Sequence, residues 1–376
     1  MLPLKFSKYF IYFFIIFGIF NSVHADELVE YHQNVRALGM GGLLIPYVED
    51  GEALFNNPAA LAKVKGVNWL LADIDLGING LQLYNDMSAI SSSGNTSYSQ
   101  FYGKNIWARV AGRSVLYFPN FAFGVAEEAL VKLRLQRPSF PEMKVTYTTD
   151  VAFYAGIAYP VSPYVSWGMA LKQIRRTGTS QVIGVGTIAK NDTSTLGDSF
   201  KDAGIGYGID TGIQYQLPLP FNPNLAFVWK DVGRTTFTKT AGTSAPSSIG
   251  DNLQMGMSWA IDLPGLDLLT GFEYRRMLDS KEQIGKKIHL GAEISLPFVD
   301  FRAGFNQGYT SYGLGTNLWL VRFDLASYSE ELGAYPGQTI DRRIQLSMTM
   351  DFGFDPFFSL GDLGSSSKRR KVKQRR

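Results

Sequence analysis

The segment RIQLSMTMDFGF, residues 343–354, decides the fold of this 376-residue chain. Apolar residues occupy every even position from Ile344 to Phe354, and polar residues lie between them from Arg343 to Asp351. Because successive side chains of a β-strand point to opposite faces, this alternation predicts a strand with one apolar and one polar face. Such a strand needs an apolar medium on one side and polar groups on the other.

The same two-residue period recurs upstream. Apolar residues alternate with small or polar residues across 165–172, 225–230, 254–259 and 288–296. We count about twelve such segments from Ser114 onward, joined alternately by short turns and longer polar loops, which is typical of outer-membrane barrels. A further strand is predicted at VNWLLADIDL, near the N-terminus. The prediction is an all-β fold, a transmembrane antiparallel β-barrel of about 14 strands, with about 12 as the alternative.

Composition agrees with a barrel. After the N-terminus no apolar run approaches the ~18 residues of a spanning helix, whereas aromatic residues make up 14% of the chain. A soluble β-sandwich is the competing fold, but it would need two apolar inner faces over an unusually long stretch of strands. The formal net charge of +3 reflects a basic tail, because seven of the 36 basic residues lie within 368–376.

The N-terminus has the organisation of a secretory signal peptide. Lys5 and Lys8 precede an apolar run of about 12 residues, and Val23-His24-Ala25 forms a cleavage site of the small-x-small type. The run is too short to span a bilayer. With no cysteine in the chain, a lipoprotein anchor and disulfides are excluded.

These patterns divide the chain into four parts. We predict a signal peptide at 1–25, an N-terminal plug at 26–65, an outer-membrane barrel at 66–356 and a basic periplasmic tail at 357–376. Within the barrel, helical spacing of apolar residues predicts two amphipathic helices in an insertion at 77–112.

The predicted plug contains the stretch VRALGMGGLLIPYVEDGEALFNNPAALA, residues 35–62. Glycine permits positive φ and close backbone approach, so this stretch is able to thread a narrow space. An Asn-Asn-Pro run marks a helix junction, because proline breaks or restarts a helix. The predicted plug motif is Gly39, Gly41, Gly42, Asn56, Asn57 and Pro58.

This stretch resembles the N-terminal signature of the FadL-type outer-membrane long-chain fatty-acid transporter superfamily, which includes PorV-type barrels and uncharacterised paralogues. The likeness extends to HLGAEISLPFVDFRAGFNQGYTSYGLG, residues 289–315. It implies a hatch inside the barrel and a hydrophobic ligand that leaves sideways through the wall. One departure is Ala60, where members of the family usually carry glycine after Asn-Pro-Ala, and this weakens assignment to the transporter branch.

Charged residues on the polar faces of the strands are predicted to line the lumen. Placing an Arg or Lys toward lipid would cost about 2–4 kcal/mol near the bilayer midplane, so these side chains should face the lumen. We expect them to pair with one another and to contact the plug, with Asn56 and Asn57 as anchors. The predicted lumen charges are Glu273, Arg275, Glu293, Arg302, Arg322 and Asp324.

Enzyme chemistry finds little support in the sequence. There are three histidines and no Gly-x-Ser-x-Gly motif, and no constellation of metal ligands or cofactor motif is visible. We therefore expect no enzyme activity, no catalytic residues, no metal and no cofactor.

Two functional classes remain open. The first is a FadL-like barrel that takes up hydrophobic small molecules, and the second is a non-conducting structural or secretion-associated barrel of the PorV type that binds an envelope protein partner. Both would contact outer-membrane lipid and neither would bind nucleic acid. Both place the chain in the outer membrane with its two termini in the periplasm.

Overall fold

A single antiparallel sheet contains all of the named strands of the chain. The computed structural model describes residues 27–79, 105–136, 142–184, 200–318 and 320–354. The predicted signal peptide and basic tail lie outside the described residues.

Fifteen strand segments form this sheet in the described part of the chain. In chain order they are β1 (Val67–Ile78), β2 (Asn105–Phe118), β3 (Phe121–Gln136), β4 (Glu142–Pro160), β5 (Val165–Gly184), β6 (Ala203–Gln216), β7 (Asn224–Lys230), β8 (Phe237–Ala241), β9 (Asn252–Leu263), β10 (Leu266–Tyr274), β11 (Ile288–Ser295), β12 (Val299–Asn306), β13 (Tyr309–Leu318), β14 (Val321–Glu331) and β15 (Ile340–Phe354).

The sheet closes on itself. Apart from β8, each strand pairs with its neighbours in sequence, and the first strand, β1, pairs with the last, β15, for example at Ile74 and Met348. β7 and β8 both pair with β6, along 211–216 and 203–206 respectively, so the two segments occupy one position in the wall. The fold is therefore a closed 14-strand antiparallel barrel, and the predicted fold class and strand number are confirmed.

Burial alternates along the strands as the two-residue period predicts. Leu171 and Leu346 are 49% and 45% exposed, whereas their neighbours Lys172 and Gln345 are buried. The same alternation holds along β9 and β11. The outer face of the wall thus exposes apolar side chains, which a lipid bilayer would bury.

The connections differ between the two ends of the barrel. The end where β1 begins and β15 finishes carries short turns at 119–120, 161–164, 264–265 and 296–298, and we call it the short-turn end. The opposite, long-loop end carries connections at 242–251, 275–287 and 332–339.

The predicted helical insertion at 77–112 is wrong at both of its ends. Residues 77–78 belong to β1, and residues 105–112 belong to β2, which pairs antiparallel with β1. Trp107 is buried and Val110 is exposed, so the side chains of β2 follow a two-residue period. The part of the insertion at 80–104 lies outside the described residues. β2 supplies the partner that β1 needs to join the wall.

Short helices occur in the N-terminal segment, which we define as residues 27–65, and before β11. They are α1 (Val35–Gly39), α2 (Ala53–Asn56), a 3₁₀ helix (Pro58–Lys63) and α3 (Ile284–Lys287). The Asn34 side chain caps α1 by accepting from the backbone N–H groups of Arg36 and Ala37. No helix in the described part of the chain is long and apolar enough to cross a membrane.

Apolar side chains of the N-terminal segment pack against the inner face of the wall. Leu54 and Leu61 are fully buried, and they share a core with Val115 of β2 and Ala152 of β4. Burial of a leucine side chain contributes about 1.5–3 kcal/mol, so these contacts favour a docked segment.

Candidate functional site

The glycines of the N-terminal segment meet glycines of the wall. A Cβ atom placed on Gly304 of β12 would lie 2.1 Å from the backbone nitrogen of Gly41, and one on Gly291 of β11 would lie 2.3 Å from the carbonyl oxygen of Met40. Gly41 itself has φ +66°. Side chains at these places would separate the two backbones, so glycine is required on both sides of the contact.

An arginine of the segment joins a charged network on the wall. Nη2 of Arg36 lies 2.6 Å from Oε1 of Glu293, and its Nε donates to Oε2 at 2.8 Å. Nε of Arg302 reaches the same carboxylate at 2.6 Å, and its Nη1 lies 2.8 Å from Asp324. Arg322 pairs with Asp324 at 2.7 Å. Arg36, which the sequence analysis did not single out, thus joins a network of four predicted lumen charges through Glu293.

The remaining two predicted lumen charges hold the turn that follows α1. Oε2 of Glu273 accepts from the backbone N–H groups of Leu44 and Ile45 at 2.8 and 3.0 Å. Arg275 donates to Glu273 at 2.6 Å and to the carbonyl of Gly42. The wall therefore satisfies backbone polar groups of the segment that would otherwise be buried without partners.

The two adjacent asparagines have different partners. Oδ1 of Asn56 accepts from Nζ of Lys230 on β7 at 2.8 Å, so Asn56 contacts the wall. Asn57 bonds within the segment, because it donates to the carbonyl of Ile45 at 2.9 Å and accepts from the N–H of Ala59 at 3.2 Å. Asn57 thus ties the 3₁₀ helix to the turn that precedes α2.

A second charged cluster joins the segment to the first two strands. Arg113 of β2 lies 3.2 Å from Glu52 of the segment and 2.6 Å from both Asp73 and Asp75 of β1. All four side chains are buried. The sequence analysis missed this cluster because it placed Arg113 next to a helical insertion, although charges at alternate positions of β1 were visible.

Residues at the start of the described chain bind near the long-loop end. The carboxylate of Glu27 lies 2.8 Å from Arg343 and 2.7 Å from Lys132. Burial opposes the charged form of Glu27, but these two cations outweigh burial and hold its pKa at about 2. Burial lowers the pKa of His32 to about 3, so its imidazole is neutral and bonds to the Tyr154 hydroxyl at 2.7 Å.

A cavity of about 370 Å³ lies between the N-terminal segment and the wall. Residues 27–32 and Phe55 line it on one side, and inward-facing residues of β3–β7 line it on the other. The rings of Phe55 and Tyr154 meet edge to face at 4.9 Å. The volume is at the lower end of the range for small-molecule sites.

The wall strand beside this cavity is interrupted. Between β7 and β8, Asp231, Gly233 and Arg234 have φ values of 52°, 74° and 74°, which interrupt the regular strand pairing over residues 231–236. Within this stretch Thr235 still forms an antiparallel bridge with Ile249. Beyond this point β8 pairs only with β6 among the described strands. Nζ of Lys172 stabilises the interruption, with Asp210 at 2.7 Å and Asp231 at 2.9 Å.

Solved structures share this architecture. A structure titled CymD monoaromatic hydrocarbon channel has a TM-score of 0.50 and 14% identity, over 85% of this chain and 96% of the other. The Ralstonia pickettii toluene transporter TbuX has a TM-score of 0.50 and 13% identity, over 85% and 97%. The sequence matches no family model and no curated protein. The chain has the same β-barrel fold as these two outer-membrane structures.

Within this barrel, the predicted site residues fall into two groups. Gly39, Gly41 and Gly42 lie against β10–β13, close to the predicted lumen charges. Asn56, Asn57 and Pro58 lie on the opposite side, where a Cβ on Gly168 of β5 would meet the Pro58 carbonyl carbon at 2.3 Å. The cavity and the interrupted strand adjoin the second group.

Proposed function

We propose that this protein is an outer-membrane barrel that takes up small hydrophobic molecules through the cavity beside its N-terminal segment. The observation that carries the proposal is the position of that cavity next to the interruption between β7 and β8. The interruption weakens the strand pairing of the wall at the level of a cavity large enough for a small molecule.

The outer face and the fold support this function. The apolar outer face suits a bilayer, and the two similar structures are titled as a hydrocarbon channel and a toluene transporter. The predominance of short turns at the end where β1 begins and β15 finishes favours a periplasmic location for that end.

The N-terminal segment acts as a plug in this proposal. Its backbone contacts with β11 and β12, and its ion pairs to Glu293 and Arg113, oppose passage straight through the barrel. A hydrophobic molecule that enters from the long-loop end would reach the cavity and leave sideways at residues 231–236. This route bypasses the charged network of Glu293, Arg302 and Asp324 on the other side of the lumen.

A partner-binding barrel of the PorV type is the second candidate function. The polar, threonine-rich stretch 233–248 favours it, because a capture groove for hydrophobic molecules would present clustered large apolar side chains. Thr238, Thr240 and Thr243 are exposed on this stretch and offer a polar surface to a protein partner.

Uptake by intact cells distinguishes the two functions. Cells that express the protein should accumulate labelled toluene faster than cells with an empty vector. The two cell types should carry equal amounts of other outer-membrane barrels. Thr148→Trp, which fills the cavity from β4, should lower the rate to that of the vector. Thr238→Trp, at an exposed position of β8, should leave it unchanged. Equal uptake with and without the protein would contradict transport and favour the partner-binding barrel.

A further inference from the structure

We propose that the cavity binds a small single-ring organic anion and that the ammonium group of Lys230 holds its carboxylate. The inference rests on the proposed function, because it names the chemical class of molecule that the same cavity would take. Lys230 lies at the end of β7, directly before the interruption, and it lines the cavity.

Lys230 differs from the other cations of the cavity. Nζ donates to Oδ1 of Asn56 at 2.8 Å, and no carboxylate of the described residues lies within ion-pair distance of it. The other lysines and arginines of the lining have carboxylate partners, which are Glu27 for Lys132 at 2.7 Å, Asp210 for Lys172 at 2.7 Å, Asp150 for Arg176 at 2.6 Å and Glu30 for Arg276 at 3.0 Å.

A carboxylate in the cavity would complete the bonding of Lys230. An ammonium group has three N–H donors, and Asn56 accepts from one of them. A positive charge removed from bulk water is unfavourable without an opposite charge, and hydrogen bonds between two charged groups are stronger than those between neutral ones. Glu30 and Asp210 also line the cavity, but they pair with Arg276 and Lys172, so the anionic group of a ligand would be the first to contact Lys230 directly.

The rest of the cavity selects the body of the ligand. Phe55 and Tyr154 present aromatic surface, and Leu130 and Ile174 add aliphatic surface. Phe55 and Lys230 both line the cavity, so the aromatic ring and the ammonium group face the same space. A cavity of about 370 Å³ suits one ring with a carboxylate better than a long acyl chain.

Calorimetric titration of the full chain in a non-ionic detergent tests this inference with benzoate and its neutral isostere benzamide. Wild-type protein should bind benzoate at least about tenfold more tightly than benzamide. Lys230→Met should remove this preference by weakening benzoate alone, and Lys230→Arg should restore it. Lys281→Met, at an exposed loop position, should behave as wild type.

Several outcomes would overturn the inference. They are equal binding of benzoate and benzamide to the wild type, unchanged benzoate binding in a folded Lys230→Met variant, and displacement of benzoate by an equal concentration of inorganic phosphate. Failure of this inference can be distinguished from failure of the proposed function. Loss of the benzoate preference with normal toluene uptake would contradict this inference alone, whereas the preference without toluene uptake would support it and contradict hydrocarbon transport.

Discussion

Arg36 and Glu293 form a two-point ion pair between positions 257 residues apart, with Nη2 2.6 Å from Oε1 and Nε 2.8 Å from Oε2. Arg36 belongs to the N-terminal segment and Glu293 to β11. Both side chains are buried, and Arg302 shares the Glu293 carboxylate. The pair therefore fixes the segment to the wall in surroundings that water screens weakly.

Replacing Arg36 by Ala should loosen the N-terminal segment without unfolding the barrel. Breaking a buried pair costs about 3–5 kcal/mol, and we expect a cost near the lower value because Arg302 still compensates Glu293. Hydrogen exchange followed by mass spectrometry should show faster exchange across residues 35–45. Arg342→Ala, at an exposed position of β15, is the control, and the same exchange in both variants would contradict the docking role.

Replacing Gly304 by Ala should destabilise the docked state, because its Cβ would overlap the backbone nitrogen of Gly41. The expected loss is about 1–3 kcal/mol, as for other overpacked sites. Gly112→Ala is the matched control, since nothing lies within 4 Å of a Cβ on this strand glycine. Urea unfolding of both variants in lipid vesicles measures the difference, and equal stabilities would show that the contact with Gly41 is loose.

Replacing Met348 by Arg should impair barrel assembly, since this mid-strand residue of β15 faces outward. An arginine there would cost about 2–4 kcal/mol near the bilayer midplane. Gln345→Glu, on the inner face of the same strand, should assemble normally because Arg109 already donates to the Gln345 side chain at 3.4 Å. The folded fraction after refolding into vesicles provides the readout. Similar losses in both variants would show that the assigned faces are wrong.

Deleting residues 35–62 should leave a barrel that assembles and conducts. The wall strands keep their own hydrogen bonds, and Glu293 keeps Arg302 as a partner. Loss of the segment removes the backbone that contacts β11 and β12, which should open an aqueous path. Single-channel recordings in planar bilayers should show a higher conductance than wild type, and an unchanged conductance would mean that the segment does not close the lumen.

Acid should release the start of the N-terminal segment. Arg343 and Lys132 hold the pKa of Glu27 at about 2, below its ordinary value of 4.5. The ionised Glu27 therefore stabilises the docked N-terminal segment fully above about pH 4.5, and this stabilisation is lost as the pH falls toward 2. Hydrogen exchange of residues 27–32 should be independent of pH between about 8 and 5, after correction for intrinsic rates, and protection should fall below that range. In Glu27→Gln this acid-dependent step should be absent.

The strand periodicity was enough to predict the wall but not all of its parts. In β15 every outward residue from Ile344 to Phe352 is apolar, so the alternation was unambiguous. In β2 the inward residues include Trp107 and Arg109, and the mixture of large apolar and charged inward residues hid the two-residue period. The prediction of about 14 strands is confirmed even though the β2 region was assigned to a helical insertion.

The candidate site was less accessible to sequence reasoning. Exposing charged side chains to lipid is unfavourable, so Glu293 and Arg302 must point inward, and the sequence analysis predicted this orientation. Which residue of the N-terminal segment meets them depends on how the segment lies across the lumen, and no periodicity encodes the approach of Arg36. The cavity likewise arises from distant residues, since Tyr31 and Lys230 line it together.

The contact between the Gly41 and Gly304 backbones bears on the order of events during biogenesis. Because the two backbones are in contact, no gap remains through which the N-terminal segment could be inserted after the barrel has closed. The N-terminal segment precedes every strand, and the seam between β1 and β15 joins only after the last strand is made. We therefore expect the sheet to curl around a segment already in place, so that closure of the seam and capture of the segment are one step.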